Sequence, residues 1–385
     1  MKFHQLPLDS NVQKIIQKRG FDDLTSIQEK CIPKILQRKD VVGQAETGSG
    51  KTLAFCLPIV QMIHPEERLQ VLVLTPTREL CVQVTDVFTE FGKPLGITTC
   101  SVYGGVSIQP QINAIQRANV VVATPGRLLD HLNRKTISFA DIQFLVLDET
   151  DKMLEMGFIE DVERIISQLP HHRQTLMFSA TIPQEIHAIA QAHLHHPIIF
   201  ETKPLVEPDK LNQKYYDIYQ QNDKFSLLLH LLQDTNHDLA IVFCGTRTET
   251  DIVARNLRNH GIKASAIHGG MSQQKRMKSL ERLKTQKIDV LVATDVAARG
   301  LDIKNVSHVY NYDVPKTSQE YIHRIGRTAR AGENGDAITL LTSRDHENFR
   351  RVQSNEKLII KKARFPQFKK VRFFRQHTKR KRQYR

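Results

Sequence analysis

Short, unbroken apolar runs punctuate this chain, and the stretches between them carry apolar residues at helical spacing. The runs at 70–75, 97–102, 119–123, 143–148 and 175–179 predict strands buried on both faces. The patterns at 51–62, 78–91 and 183–194 predict helices between them. Strand–helix alternation of this kind implies a parallel sheet with helices on both faces. A second series follows, with strands expected at 239–244, 263–267, 288–293, 306–311 and 336–341. Lys203-Pro-Leu-Val-Glu-Pro-Asp-Lys210 separates the two series and reads as a linker, over 203–212. The pattern therefore predicts an α/β domain over 1–202, a second over 213–350, and a tail over 351–385. The halves could be versions of one unit.

Composition changes this picture only at the tail. A chain of 385 residues with 40% hydrophobic and 25% charged content has room for two cores. No apolar run approaches the ~20 residues that span a bilayer. The first residues, Met1-Lys-Phe-His-Gln-Leu-Pro, lack the apolar core of a signal peptide. Five scattered cysteines form no Cys-x-x-Cys pair, which speaks for reduced thiols, no zinc site and a cytoplasmic location. The net charge of +14 is concentrated at the end: residues 361–385 hold twelve Lys/Arg and no Asp/Glu. Phe365, Phe368, Phe373, Phe374 and Tyr384 interleave with that charge. The stretch is expected to be disordered and to bind RNA, through phosphate attraction and stacking on bases. A solubilising tail, or one that docks on an acidic protein, is the alternative.

Three constellations carry chemistry. Ala45-Glu46-Thr47-Gly48-Ser49-Gly50-Lys51-Thr52 stands between an apolar pair and a helical pattern. Gly48 and Gly50 let backbone N–H groups face phosphate oxygens, Lys51 meets the β/γ-phosphates, and Thr52 reaches Mg²⁺. Ala45 replaces the usual glycine. Second, the run 144–148 ends in Asp148-Glu149. At a strand end, one carboxylate can hold Mg²⁺ through water and the next can take a proton from attacking water. Asp148 would also satisfy a helix N-cap. Third, Arg299, Arg324, Arg327 and Arg330 cluster in the second half. On a helix Arg327 and Arg330 share one face, which suits a γ-phosphate; a solvated basic helix is the plain alternative.

These motifs, in this order, resemble the DEAD-box ATP-dependent RNA helicases of superfamily 2, bacterial type, over about residues 3–345. The resemblance implies two RecA-like domains, ATP and Mg²⁺ as cofactors, and RNA, duplex or single-stranded, as partner. It makes Gln28, with Phe21 and the upstream Phe3, the adenine reader, although Leu24 and Ser26 stand where the family has proline. Asp148-Glu149-Thr150-Asp151 matches the family signature with Thr for Ala. Asp151, Ser179, Thr181 and His323 take coupling roles, and Asp302 meets the ribose. Pro76, Thr77, Arg78, Gly104, Gly105, Thr124, Pro125, Gly126 and Arg127 are the implied RNA contacts of the first domain. Phe243, Thr246, Gln273, Arg276, Thr294 and Asp295 are those of the second. Lys51, Asp148, Glu149, Arg327 and Arg330 form the catalytic set, with Ala329 where glycine is usual. The implied activity is RNA-stimulated ATP hydrolysis that opens short duplexes and remodels RNA–protein complexes, with ribonucleoprotein or RNA-decay proteins as partners and no membrane. An ATP-gated RNA clamp with little unwinding is the competing reading.

Overall fold

The computed structural model describes the chain apart from residues 47, 203–209, 236–238, 299–302, 304–305, 330–333, 356–357 and 376–385. Thr47, Asp302 and Arg330, and most of the expected linker, therefore lie outside the described residues. The rest forms two compact units, one up to Thr202 and one from Lys210 onward.

In the first unit β1 (Val41–Gln44), β2 (Val71–Leu74), β3 (Thr99–Val102), β4 (Val120–Ala123), β5 (Phe144–Asp148), β6 (Gln174–Ser179) and β7 (Ile198–Glu201) make one sheet in the order β3-β4-β2-β5-β6-β1-β7. Every pairing is parallel. Alternate residues of the inner strands enter opposite cores. Val71, Val73, Val146 and Phe178 pack on one face, and Leu72, Leu74, Leu147 and Met177 on the other. That division is the physical content of helices on both faces.

In the second unit β8 (Leu211–Asp217), β9 (Ala240–Phe243), β10 (Ala264–Ile267), β11 (Val290–Ala293), β12 (His308–Asn311), β13 (Gly335–Leu341) and β14 (Lys361–Lys362) form a parallel sheet in the order β10-β11-β9-β12-β13-β8-β14. Taken strand for strand, this is the order of the first sheet. The two halves are copies of one topology, and both match the RecA-like architecture.

Much of the stretch expected to be a disordered tail is built into the second unit. The helix His346–Gln353 runs across the expected boundary at residue 350. Strand β14 then pairs with β8, in the place that β7 holds in the first sheet. Beyond it Phe368, Val371 and Phe373 pack against the core of the second unit. Phe373 lies 4.9 Å from the Phe225 ring, and Phe365 lies 5.7 Å from Tyr216. These aromatic rings find apolar partners on the protein itself, which is why the segment does not stay disordered as its polarity suggests. From β14 onward, only residues 376–385 lie outside the described part.

Candidate active site

The strand order divides the first sheet's carboxyl edge in two. Strands β5, β6 and β1 are neighbours, with Asp148 opposite Phe178 and Gln44 opposite Ser179. Their ends carry the phosphate-type loop, the carboxylates and Ser179. Strands β3, β4 and β2 are also neighbours, and lead into Gly104-Gly105, Thr124-Pro125-Gly126-Arg127 and Pro76-Thr77-Arg78.

The loop after β1 turns through Gly48 and Gly50 at φ 89° and 91°, the left-handed region that glycine tolerates. Gly50 caps the helix Lys51–Met62, whose amino end, with Thr52 in its first turn, is an anion site in the making. Lys51 is buried and donates to Ala45 O at 2.6 Å. Ser49 donates through its hydroxyl to Glu46 O at 2.7 Å. Gln28 reaches this loop as well. Its Nε2 donates to Gly50 O at 3.1 Å and its Oε1 accepts from Thr25 N at 2.9 Å. The second bond belongs to a capping box with Thr25, which fixes the segment without the family's prolines. Phe3 and Phe21 pack near it with ring centroids 6.3 Å apart.

Asp148 ends β5 almost fully buried. Burial, and to a lesser degree the neighbouring Glu149, push its carboxyl up to about 7, against the pull of the Lys51 charge. A carboxylate held this way gains from a cation. Among the described residues no cluster of three or more His, Cys, Asp or Glu could hold a metal. A divalent ion beside Asp148 and Thr52 would therefore take most of its ligands from nucleotide and water, as Mg²⁺ does. Glu149 is left-handed at φ 52° and buried, next to Asp148 and ahead of the helix Thr150–Glu155. Asp148 Oδ1 accepts from Glu149 N at 3.0 Å, but the N-cap of that helix is Glu149, so the capping reading of Asp148 does not hold.

From there a hydrogen-bonded relay runs to the end of β6. Asp151 N donates to Ser179 Oγ at 3.1 Å, and Ser179 Oγ donates to Thr181 O at 2.7 Å. Asp151 Oδ2 accepts from both N and Oγ1 of Thr181 at 3.2 Å. All three coupling candidates of this unit are thus joined.

In the second unit Phe243 ends β9 and Thr246 follows it, Thr294 and Asp295 follow β11, and Gln273 and Arg276 lie on the helix Gln273–Lys284 after β10. Strands β10, β11 and β9 occupy the places of β3, β4 and β2. Thr246 caps the helix Arg247–Asn259, as Thr77 caps Arg78–Gly92. Two expectations change here. Arg327 does not lie on a helix: Ser318–Ile325 ends before it, and Gly326 and left-handed Ala329 turn the chain toward β13. Asp295 faces protein: its two oxygens pair with Arg324 at 2.6 and 2.7 Å. Buried Arg324 also lies 5.1 Å over the Phe243 ring and donates to Asn311 and to Asp313 O. Of the arginine cluster, Arg324 is a strut, which sequence spacing does not distinguish from a phosphate ligand. His323 and Arg327 line a small pocket with Phe243, Asp295 and Arg324.

Comparison with known proteins decides the family. Residues 25–189 match the DEAD/DEAH box helicase model and residues 223–332 the helicase conserved C-terminal domain. The chain is 43% identical to the ATP-dependent RNA helicase CshA of Listeria monocytogenes, over 95% of this chain and 71% of that protein. It is equally identical to the Bacillus subtilis DEAD-box ATP-dependent RNA helicase CshA, over 94% and 74%. The chain belongs to the DEAD-box ATP-dependent RNA helicases. Its fold resembles Saccharomyces cerevisiae Dbp5 bound to RNA and ADP-BeF3, with a TM-score of 0.84 and 30% identity over 94% of this chain and 95% of that one.

As a DEAD-box helicase the protein is an RNA-dependent ATPase, and the fold accommodates two of its departures from the family pattern, Thr150 and Ala329, in different ways. Thr150, in place of Ala, is fully buried, and its hydroxyl has Leu147 O and Phe178 O as acceptors, both at 3.3 Å. The extra polar atom is therefore satisfied between β5 and β6, away from the carboxylates' own bonds. Ala329, in place of glycine, adopts φ 54°, so the substitution is held as backbone strain. No helix among the described residues is long and apolar enough to cross a membrane.

Proposed function

We propose that this DEAD-box helicase couples ATP hydrolysis to local opening of short RNA duplexes and to remodelling of RNA–protein complexes, as a cytoplasmic protein. The observation that carries the reading is the division of the strand ends. Nucleotide candidates follow β5, β6 and β1, and RNA candidates follow β3, β4 and β2 in one unit and the equivalent β10, β11 and β9 in the other. The Asp151–Ser179–Thr181 relay leads away from the nucleotide carboxylates and gives their state a route to the rest of the unit.

In this reading Ala45, Glu46, Gly48, Ser49, Gly50 and Lys51, with Thr47, hold the phosphates, while Gln28 and Phe21 read the adenine. Thr52 and Asp148 hold Mg²⁺, which would screen phosphate charge. Glu149 orients water and takes its proton. Arg327 and Arg330 offer charge to the γ-phosphate, and Asp302 meets the ribose. Thr77, Arg78, Thr124, Thr246, Gln273, Arg276 and Thr294 line the RNA backbone, and the basic residues of 376–385 extend that grip. RNA, and proteins of ribonucleoprotein or RNA-decay assemblies, are the proposed partners.

The test follows ATP hydrolysis with and without RNA, together with release of a labelled strand from a short RNA duplex. RNA stimulation and strand release that both require turnover are expected. ATP-dependent retention of RNA without strand release would replace this reading with the clamp.

A further inference from the structure

Gln111 and His131 belong to no recognised motif, yet both are buried, at 7% and 0% exposure. Gln111 lies on the helix Gln109–Ile115 and His131 on Pro125–Asn133. Their side chains meet Arg127 in one network. Gln111 Nε2 donates to Tyr103 O at 2.9 Å. Its Oε1 accepts from Arg127 Nη1 at 3.3 Å and faces His131 Nε2 at 3.1 Å. An amide oxygen only accepts, so Nε2 carries the imidazole proton. Burial, and then the Arg127 charge, hold His131 below its ordinary value, which agrees with a neutral ring.

Arg127 closes the network. Both Nη atoms donate to Val106 O, at 3.2 and 3.1 Å, and its Nε lies 3.9 Å from Asp130. Its side chain is 14% exposed, so the fork is spent on protein. Tyr103 and Val106 are the residues on either side of Gly104-Gly105. Gln111 thus holds the carbonyl before the glycine pair, and Arg127 the carbonyl after it. Gly105 has φ 82°, and a Cβ there would lie 2.1 Å from Arg78 Nη1. Lacking side chains, the pair can touch RNA only with its backbone, which has no rotamer to adjust. Its precision then depends on what holds the loop.

We infer that Gln111 and His131 are positioning residues for RNA binding, and that Arg127 acts as a brace for the Gly104-Gly105 backbone rather than as a phosphate ligand. The inference rests on the RNA reading of these strand ends.

The test measures the RNA concentration for half-maximal ATPase in Gln111→Leu, Arg127→Lys and the double variant, with melting curves and a salt series. Lysine keeps the charge and loses the fork. Each single variant should raise RNA half-saturation about ten-fold, with turnover at saturating RNA changed less than about two-fold. The double variant should add little to either single one. Gln111→Leu should lower affinity without changing its salt slope, because every phosphate-binding group stays in place. A native Gln111→Leu with wild-type half-saturation would overturn the brace, as would Arg127→Lys with unchanged affinity, or effects that multiply in the double variant. If Gln111→Leu does not fold, His131 decides. His131→Gln keeps a donor opposite Gln111 and should bind RNA better than His131→Leu; equal binding overturns the inference. A wild-type ATPase indifferent to RNA would sink the RNA reading itself, a result separable from these.

Discussion

Asn256 grips the backbone of Phe374 with both ends of its amide: Oδ1 accepts from Phe374 N at 2.9 Å and Nδ2 donates to Phe374 O at 3.1 Å. Asn256 is fully buried, so the bond pair is built into the second unit. Ser226 Oγ takes Val371 N in the same way at 3.0 Å. Two buried polar groups would be left unsatisfied without this segment.

Two truncations should therefore behave differently. Removing 361–385 strips β14 and the Phe368 and Phe373 packing. Burial of about 1.5–3 kcal/mol per aromatic side chain implies a melting temperature lower by roughly 10 °C or more, and ATPase should fall with it. Removing 376–385 takes five of the twelve basic residues and leaves β14, the packed rings and the Asn256 bonds intact. Its melting should match the full chain, while RNA affinity falls and the salt slope flattens, by up to about 0.7 for each phosphate that is no longer neutralised. Equal melting of the two truncations would show that the docked segment contributes nothing to stability.

Ala329→Gly should stabilise the protein. The left-handed φ of Ala329 costs an alanine roughly 1–2 kcal/mol, whereas glycine adds about 0.4–1 kcal/mol of chain entropy to the unfolded state. Relief exceeds the entropy term, so the melting temperature should rise by about 2 °C. A fall would mean that the Ala329 methyl, itself buried, contributes more packing than the backbone loses.

Most strands legible in the sequence are those buried on both faces, because a short continuous apolar run bounded by turn residues matches little else; edge strand β3, with alternate residues half-buried, is the exception. Edge strand β7 alternates half-buried and exposed residues, and β8 is rich in polar residues, so neither stands out. The phosphate loop is legible because its glycines and lysine act locally. The docked tail is not, since its aromatic partners Phe225 and Tyr216 lie far upstream and only the fold brings them near. Gln111, His131 and Arg324 are hidden for a related reason: a buried polar residue and a solvated one read alike until the fold closes around them.

The ATP-free protein should lose stability as pH rises through the range in which Asp148 ionises. Its carboxyl titrates at about 7 when folded, against an ordinary value of 3.8, so the folded chain binds this proton more tightly than the unfolded one. The contribution is fully present below pH 3.8 and is lost by pH 7 and above. Asp148→Asn should therefore melt higher than wild type at about pH 8, with the difference shrinking toward about pH 5, even as it loses hydrolysis. A variant that melts lower at the higher pH would show that the Lys51 charge outweighs burial.

Gln28 is already bonded at both ends, to Thr25 N and Gly50 O, and a side chain at Gly50 would lie 2.4 Å from its Nε2. An adenine reader in contact with the phosphate loop should affect both base choice and loop geometry. Gln28→Ala is expected to weaken ATP binding about ten-fold and to narrow the gap between ATP and GTP. Competition of unlabelled nucleotides against a fluorescent ATP analogue measures both. Wild-type protein that binds GTP as well as ATP would remove Gln28 from the adenine role.

Glu149 is the residue on which hydrolysis should depend most selectively. It follows the buried Asp148 at the end of β5, and its left-handed backbone, a costly conformation for glutamate, aims it from the strand end into the next helix. Glutamine has the same shape and can still orient water, yet cannot take its proton. Glu149→Gln should therefore retain ATP and RNA binding while turnover falls by roughly 10²-fold or more. Loss of binding along with turnover would mark Glu149 as part of the nucleotide cradle. Near-normal ATPase would move the base elsewhere, and Asp148, with its carboxyl at about 7, would be the next group to test.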